Sequence, residues 1–259
     1  MALAPNLTEI VFALGAGDRL VGVSEHSDYP EAARAIPRVG GLEVSAEKVV
    51  SLRPDLVLAT KEGNTRGPVT ALAAAGLPVL LVPGGSLDEV LEGIRLVAAR
   101  LGRTEEGQRI VADLGRRRQS ARQTAARGER PRAILLIWPD PPQAAGGGTF
   151  LHDVLTEAGA SNALEDRRGW PLVSSEFLAA TPVDVIVVPD DAATRAVYER
   201  AFRDGPLSRG AAAKARVIRI DEASLTRPGP RVFEALESLA RQLREQMGVG
   251  NRESGIGNR

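Results

Sequence analysis

The sequence predicts an α/β protein of two Rossmann-like lobes with parallel sheets, joined by one long helix. Three observations carry that expectation. Short apolar runs alternate with amphipathic helical stretches, the pattern of strand–helix–strand units. The alternation stops over residues 104–128, TEEGQRIVADLGRRRQSARQTAARG, and then restarts. Finally, SAEKVVSLRPDLVLAT (45–60) is echoed by SSEFLAATPVDVIVVP (174–189), with one inserted residue between the two registers. Both stretches read as a helix, a proline-aspartate turn and a buried strand.

The elements follow in order. Asn6 is positioned to cap a first helix with Glu9 three residues on, and Leu7, Ile10, Val11 and Leu14 form its apolar stripe. Gly15 and Gly17 stop it. Leu20–Val23 reads as a strand, Ser45–Leu52 as a helix, Leu56–Ala59 as a strand, Pro68–Ala75 as a helix and Val79–Val82 as a strand. A helix over Ser86–Leu101 opens with the capping box S-L-D-E. Residues 104–128 hold no proline and would make a rod of about 35 Å. Beyond them come strands at Ala133–Trp138, Val183–Val188 and Val217–Ile220. Helices are expected at Phe150–Ala158, Ser175–Ala180 and Pro230–Gln246. The expected organisation is an N-terminal lobe (1–103), a connecting helix (104–128), a C-terminal lobe (129–247) and a disordered tail (248–259).

Composition excludes several functions. Lys+Arg and Asp+Glu both number 33, so no net field draws the chain to nucleic acid. No cysteine is present, which removes disulfides, thiolate nucleophiles and Cys-based zinc sites. Only two histidines are available, so a metal set would need Asp or Glu to fill out its shell, and no G-x-S-x-G elbow accompanies them, so no hydrolytic triad is read. The N-terminus lacks a basic start followed by a long apolar stretch, so no signal peptide is read in the chain.

LAPNLTEIVFALGAGDRLVGVS, SDYP, SAEKVVSLRPDLVLA, GGGTFLHDVLTEAGASN, WPLVSSEFL and RPGPRVFEALESLA follow one another over residues 3–246. In this order the chain resembles the helical-backbone substrate-binding proteins of ABC importers, and among them most the vitamin B12-binding members. The resemblance implies a non-enzymatic, extracytoplasmic monomer that captures a ligand between its lobes and passes it to an ABC permease and its ATPase. Cobalamin is the implied ligand, with haem or a ferric siderophore as alternatives, and a metal-binding protein or a cytoplasmic corrinoid sensor as more distant ones. It also implies a full strand ahead of Leu3.

Ligand contacts implied by the resemblance fall on Pro5 and Asn6, and on Lys61, Glu62 and Gly63. They continue with Trp138 and Trp170, and with Ala223, Ser224, Leu225, Thr226 and Arg227 in a loop read over 221–231. In GVSEHSDYP (22–30) His26 stands at the rim, either to stack, donate a hydrogen bond or ligate cobalt or iron, or as a plain surface histidine. Arg227 is the directed polar group, suited to an amide, carboxylate or phosphate. Glu176 is the implied permease contact of the second lobe. Its first-lobe counterpart falls at Arg66, a reversed charge: either Glu62 substitutes, or docking differs, or the partner does. GGGT (146–149) lacks the lysine of a phosphate loop and reads as a flexible helix entry.

Overall fold

The computed structural model describes residues 1–41, 44–61, 64, 66–125 and 130–253. The chain divides into two compact units, Met1–Leu114 with Arg227–Pro230, and Gly115–Thr226 with Arg231–Arg259.

The first unit begins inside its own sheet. Ala2 forms parallel bridges to Val23 on one side and to Leu58 on the other, and Val23 bridges Arg38. Beyond lie β1 (Val57–Thr60) and β2 (Val79–Val82), paired in parallel. Three residues, Met1–Leu3, thus hold the strand position that the resemblance places ahead of Leu3. Ala2 N–H donates to Gly22 O (3.0 Å) and Leu3 N–H to Leu58 O (2.9 Å). The expected strand at Leu20–Val23 reduces to Val23, which alone of these residues forms ladder bridges; the 3₁₀ turn at Gly17–Arg19 ends just before them. The Met1 ammonium donates to Leu56 O at 2.9 Å with only 7% of the residue exposed. Burial pushes its pKa down to about 6, against a smaller raising effect from Asp55.

Helix α1 is Pro5–Ala13, not the expected start at an Asn6 cap. Proline at the first helical position presets φ and gives up an N–H that has no intrahelical partner, so Ala4 precedes the helix without a side-chain cap. Gly15, at φ 66°, ends it in the left-handed region. Helices α2 (Ala46–Ser51) and α3 (Arg66–Ala74) flank β1, and α4 (Leu87–Leu101) packs on α1. Ser86 Oγ accepts from Glu89 N–H, and Glu89 reaches back to Gly85 N–H. Val90, Ile94 and Val97 are buried along the inner stripe of α4.

Helix α5 is continuous over Thr104–Ala125, and the unit boundary falls within it, after Leu114. The expected end at residue 128 lies outside the described residues. Val111, Leu114 and Ala121 are its buried positions. In the second unit Arg118 and Arg122 both donate to Glu157 (2.6–3.1 Å), whose carboxyl is held below its ordinary pKa. Burial alone would raise it; the two guanidinium groups overcome that.

The second unit is built on β3 (Arg132–Pro139), which pairs in parallel with β6 (Val185–Asp190), and β6 with β7 (Arg216–Asp221). On the other edge β3 meets β5 (Ser161–Asn162) in parallel and β4 (Pro142–Ala144) antiparallel, making five strands. Ile134, Leu135 and Leu136 have no exposed surface, as a strand covered on both faces requires. The helices are α6 (Phe150–Glu157), α7 (Ser175–Ala180), α8 (Arg195–Arg203), α9 (Glu222–Leu225) and α10 (Val232–Glu253). Residues 248–253, expected as disordered tail, continue α10.

The echoed stretches form the same local structure. Ser45 caps six-residue α2 before β1, and Ser174 caps six-residue α7 before β6. The GGGT turn is a tight backbone contact where a flexible entry was expected. A Cβ on Gly146 would fall 1.8 Å from Arg167 O, and one on Gly147 would fall 2.1 Å from Glu165 O. Glycine is there for close approach.

Candidate functional site

In the first unit a buried hydroxyl cluster shapes the loop that carries His26. Ser27 Oγ lies 2.9 Å from Thr8 Oγ1 and 2.8 Å from Ser24 Oγ, all within hydrogen-bond reach. Arg38 donates to the carbonyls of Ser24 (3.1 Å) and Ser27 (2.6 Å). With Ser24 and Ser27 pulled inward, Glu25, His26 and Asp28 are left exposed. A side chain at Gly41 would meet Glu25 Oε2 at 3.1 Å and His26 Nε2 at 3.8 Å, which places both side chains beside that turn.

Arg227–Pro230 joins this unit. Arg227 Nη1 donates to Asp28 Oδ1 at 2.6 Å and stands 3.5 Å from Glu9 Oε1. Asn6 Nδ2 donates to Pro228 O at 3.1 Å, so the residue expected to cap α1 ties down the Arg227 segment instead. Pro5, Asn6, Asp28 and Arg227 therefore belong to one structural neighbourhood, and the loop of His26 supplies Asp28 to it.

The pairing of Arg227 with Glu9 and Asp28 is what sequence reasoning missed. Glu9 was assigned to a capping box, yet its side chain is only 3% exposed. Its neighbours Leu7, Ile10 and Val11 are buried too, and a carboxylate among such residues demands a cationic partner. That demand was the available signal.

Lys61 is exposed, with its backbone N–H on Val82 O. Glu62 and Gly63 lie outside the described residues, and so does the side chain of Arg66. Asn64 is structural: its Oδ1 accepts from Thr60 N–H (2.7 Å) and Oγ1 (3.1 Å), and its Nδ2 donates to Leu3 O (3.1 Å).

The expected loop over 221–231 is partly helical. Asp221 accepts from Ser224 N–H and starts α9, which holds Ala223, Ser224 and Leu225. Leu225 has no exposed surface and Ser224 only 7%, so Leu225 is a core residue and no ligand-lining one. Thr226 Oγ1 donates to Glu222 O and Oε1. These residues stay with the second unit while Arg227 joins the first.

The second unit presents an apolar surface. Trp138 is 41% exposed, Trp170 39% and Leu172 63%. Trp138 pairs with Gln143 and Gln143 bridges Leu172, so the three side chains share one face. Gln143 Nε2 donates to Trp170 O (3.2 Å), and the Trp170 ring meets Phe150 edge-on with centroids 6.0 Å apart. Trp138 Nε1 donates to Asp140 O at 2.8 Å. Each indole is thus fixed while a large part of its surface is open. Leu172 was not anticipated.

Glu176 is fully exposed on the first turn of α7. Its own backbone N–H and the Ser174 hydroxyl hold its carboxyl below the ordinary pKa. His152 Nδ1 lies 3.2 Å from Asn162 Nδ2, a structural contact on the flank of α6. Among the described residues no group of three His, Asp or Glu side chains is gathered as a metal site, and no helix is long and apolar enough to cross a membrane.

Two α/β units sharing one long helix, an exposed aromatic face on one and a charged cluster on the other define a binding protein by their build. The chain belongs to the periplasmic binding protein family, whose profile matches residues 1–223. It has the helical-backbone architecture of the class III members. The uncharacterized ABC transporter substrate-binding lipoprotein YvrC of Bacillus subtilis (strain 168) is 33% identical over 251 residues, 94% of this chain and 79% of that protein. The periplasmic heme-binding protein RhuT from Roseiflexus sp. RS-1, in apo form, aligns with a TM-score of 0.84 at 29% identity, over 94% of this chain and 97% of that one. The periplasmic vitamin B12-binding protein BtuF of Vibrio cholerae aligns with a TM-score of 0.82 at 27% identity, over 94% and 96%.

Proposed function

We propose that the chain is the substrate-binding component of an ABC importer, that its ligand is a corrinoid of the vitamin B12 type, and that it binds this ligand without altering it. The exposed Trp138 and Leu172, which share a sheet face, together with the exposed Trp170, carry the reading. In a chain with only 3% aromatic residues, both tryptophans stand open to solvent yet are anchored by hydrogen bonding or ring contact. A flat macrocycle is the ligand that such a surface suits. Similarity to a vitamin B12-binding protein over nearly the whole chain supports the choice.

In this reading Pro5, Asn6, His26, Lys61 and Arg227 contact the ligand from the first unit, with Glu62 and Gly63. Trp138 and Trp170 contact it from the second, with Ala223, Ser224 and Thr226 beside them. Glu176 meets a basic side chain of the permease; its full exposure and stabilised negative charge suit that role.

A haem reading rests on the heme-binding relative at TM-score 0.84 and on the exposed imidazole of His26, which is able to ligate iron. Thermal melts of the protein with cyanocobalamin, haemin, a ferric siderophore and divalent metals separate the two. A ligand at 100 times its Kd stabilises by about 2.7 kcal/mol. Stabilisation by cyanocobalamin is expected; stabilisation by haemin alone would replace the corrinoid reading with the haem one.

A further inference from the structure

We infer that Arg168 is an anion-recognising group of the second unit, a specificity-determining residue that takes the phosphodiester of a corrinoid lying against Trp170. The inference rests on the corrinoid reading above and adds to it a residue and the ligand group which that residue selects.

Two adjacent arginines precede Trp170, and the structure uses them differently. The guanidinium of Arg167 lies over the Phe177 ring of α7, 4.4 Å from its centroid. Arg168 instead reaches the glycine turn. Its backbone bridges Gly147, and its Nη1 stands 3.6 Å from the position that a Cβ on Gly148 would take. The residue is exposed, and among the described residues no hydrogen bond, ion pair or ring engages its guanidinium. Glu165 and Asp166, the acidic residues of the same segment, are exposed too and close no ion pair with it.

Trp170 leans on the same turn two residues further along. Its ring meets Phe150, as the Arg168 guanidinium meets Gly148. The segments 146–150 and 167–170 run side by side. Gly146 N–H donates to Gly169 O (2.9 Å), Gly147 N–H to Arg167 O (2.8 Å) and Gly169 N–H to Gly147 O (3.1 Å). The close approach at Gly146 and Gly147 leaves this register little slack. One short backbone stretch therefore sets a flat indole and a fork of N–H donors on neighbouring parts of a single turn.

The ligand chemistry follows from that pair. An indole suits a flat macrocycle, and a planar guanidinium matches two phosphate oxygens at once. Cobalamin carries one such group, the phosphodiester that links the corrin side chain to its nucleotide base. Cobinamide has the same macrocycle and peripheral amides without it. A neutral amide gains only a hydrogen bond from Arg168, whereas a phosphodiester gains a charge-assisted one, roughly twice as strong.

The probes are cyanocobalamin and dicyanocobinamide, titrated by calorimetry into the intact protein and its Arg168→Gln, Arg168→Lys and Arg167→Gln variants. Arg168→Gln is expected to weaken cyanocobalamin about tenfold, the order of one charge-assisted hydrogen bond, and to leave dicyanocobinamide within about twofold. Unchanged cobinamide binding also shows that the variant is folded. Arg168→Lys keeps the charge and should weaken cyanocobalamin only about threefold. Arg167→Gln removes the same charge one residue away and should alter neither ligand by more than about twofold. Cyanocobalamin binding untouched by Arg168→Gln, an equal loss for both corrinoids, a lysine variant as weak as the glutamine one, or an equal loss from Arg167→Gln overturns the inference while the corrinoid reading stands. Absence of binding by both corrinoids, or binding of haemin in their place, overturns the inference and the corrinoid reading together.

Discussion

The two units solve the same problem with different materials. In the second, β3 runs for eight residues, Arg132–Pro139, and order comes from a ladder of backbone hydrogen bonds to β6 and onward to β7. In the first, the matching position is held by Met1–Leu3 through isolated bridges, and side chains complete the work. Asn64 fastens Leu3, Arg38 fastens the Ser24–Ser27 turn, and Asn6 fastens Pro228. The unit with the long strand displays Trp138 near the end of β3 itself and Trp170 in a loop. A sheet with short strands spends its polar side chains on architecture, and its candidate ligand group, Arg227, arrives already paired.

The largest test strikes the ladder. Leu135→Ala removes a side chain with no exposed surface from the middle of β3 and should cost about 2–5 kcal/mol in urea unfolding. A loss under about 1 kcal/mol would mean that β3 is not the anchor of its unit.

Next is the buried ammonium of Met1. Its folded pKa, about 6, is below the ordinary value of 8.0, so the unfolded chain holds this proton more tightly. Stability is therefore full above about pH 8 and is lost as pH falls toward 6, by about 2–3 kcal/mol in all. Thermal melts from pH 8.5 to 5.5 should show the loss, and acetylating the α-amino group should flatten the curve. A flat curve in the unmodified 259-residue chain would place that ammonium in water.

Asn64→Ala should follow, at about 1–3 kcal/mol, since it leaves Thr60 N–H and Leu3 O without this side chain. Hydrogen exchange at Leu3 and Thr60 should quicken, with β6 unaffected. The smallest test sharpens the likeness of the units: Ser45→Ala and Ser174→Ala remove equivalent caps and should each cost about 1 kcal/mol. Unequal costs would show that the shared pattern does not carry shared energetics.

Much of this architecture was legible in the residues. Apolar runs such as Val79–Val82 and the Ser-capped helices announce themselves locally, because strand burial and capping depend on neighbours in sequence. What escaped depends on distant partners. Nothing near Asn6 says that its amide serves Pro228, and only the burial of Glu9 hints at Arg227. The stretch 221–226 hid a helix because one aspartate cap, Asp221, turns what reads as a loop into α9. At the candidate site the tryptophans were legible through their rarity, whereas the pairing of Arg227 with Asp28 and Glu9 was not.

The most direct measurement is intrinsic fluorescence. The chain has two tryptophans, Trp138 and Trp170, and both lie on the proposed ligand face, so indole emission reports that face and nothing else. Titration with cyanocobalamin should quench it saturably at one ligand per chain, and each single Trp→Phe variant should retain part of the quench. Calorimetric binding of cyanocobalamin with emission from both indoles unchanged would place the ligand elsewhere and contradict the account.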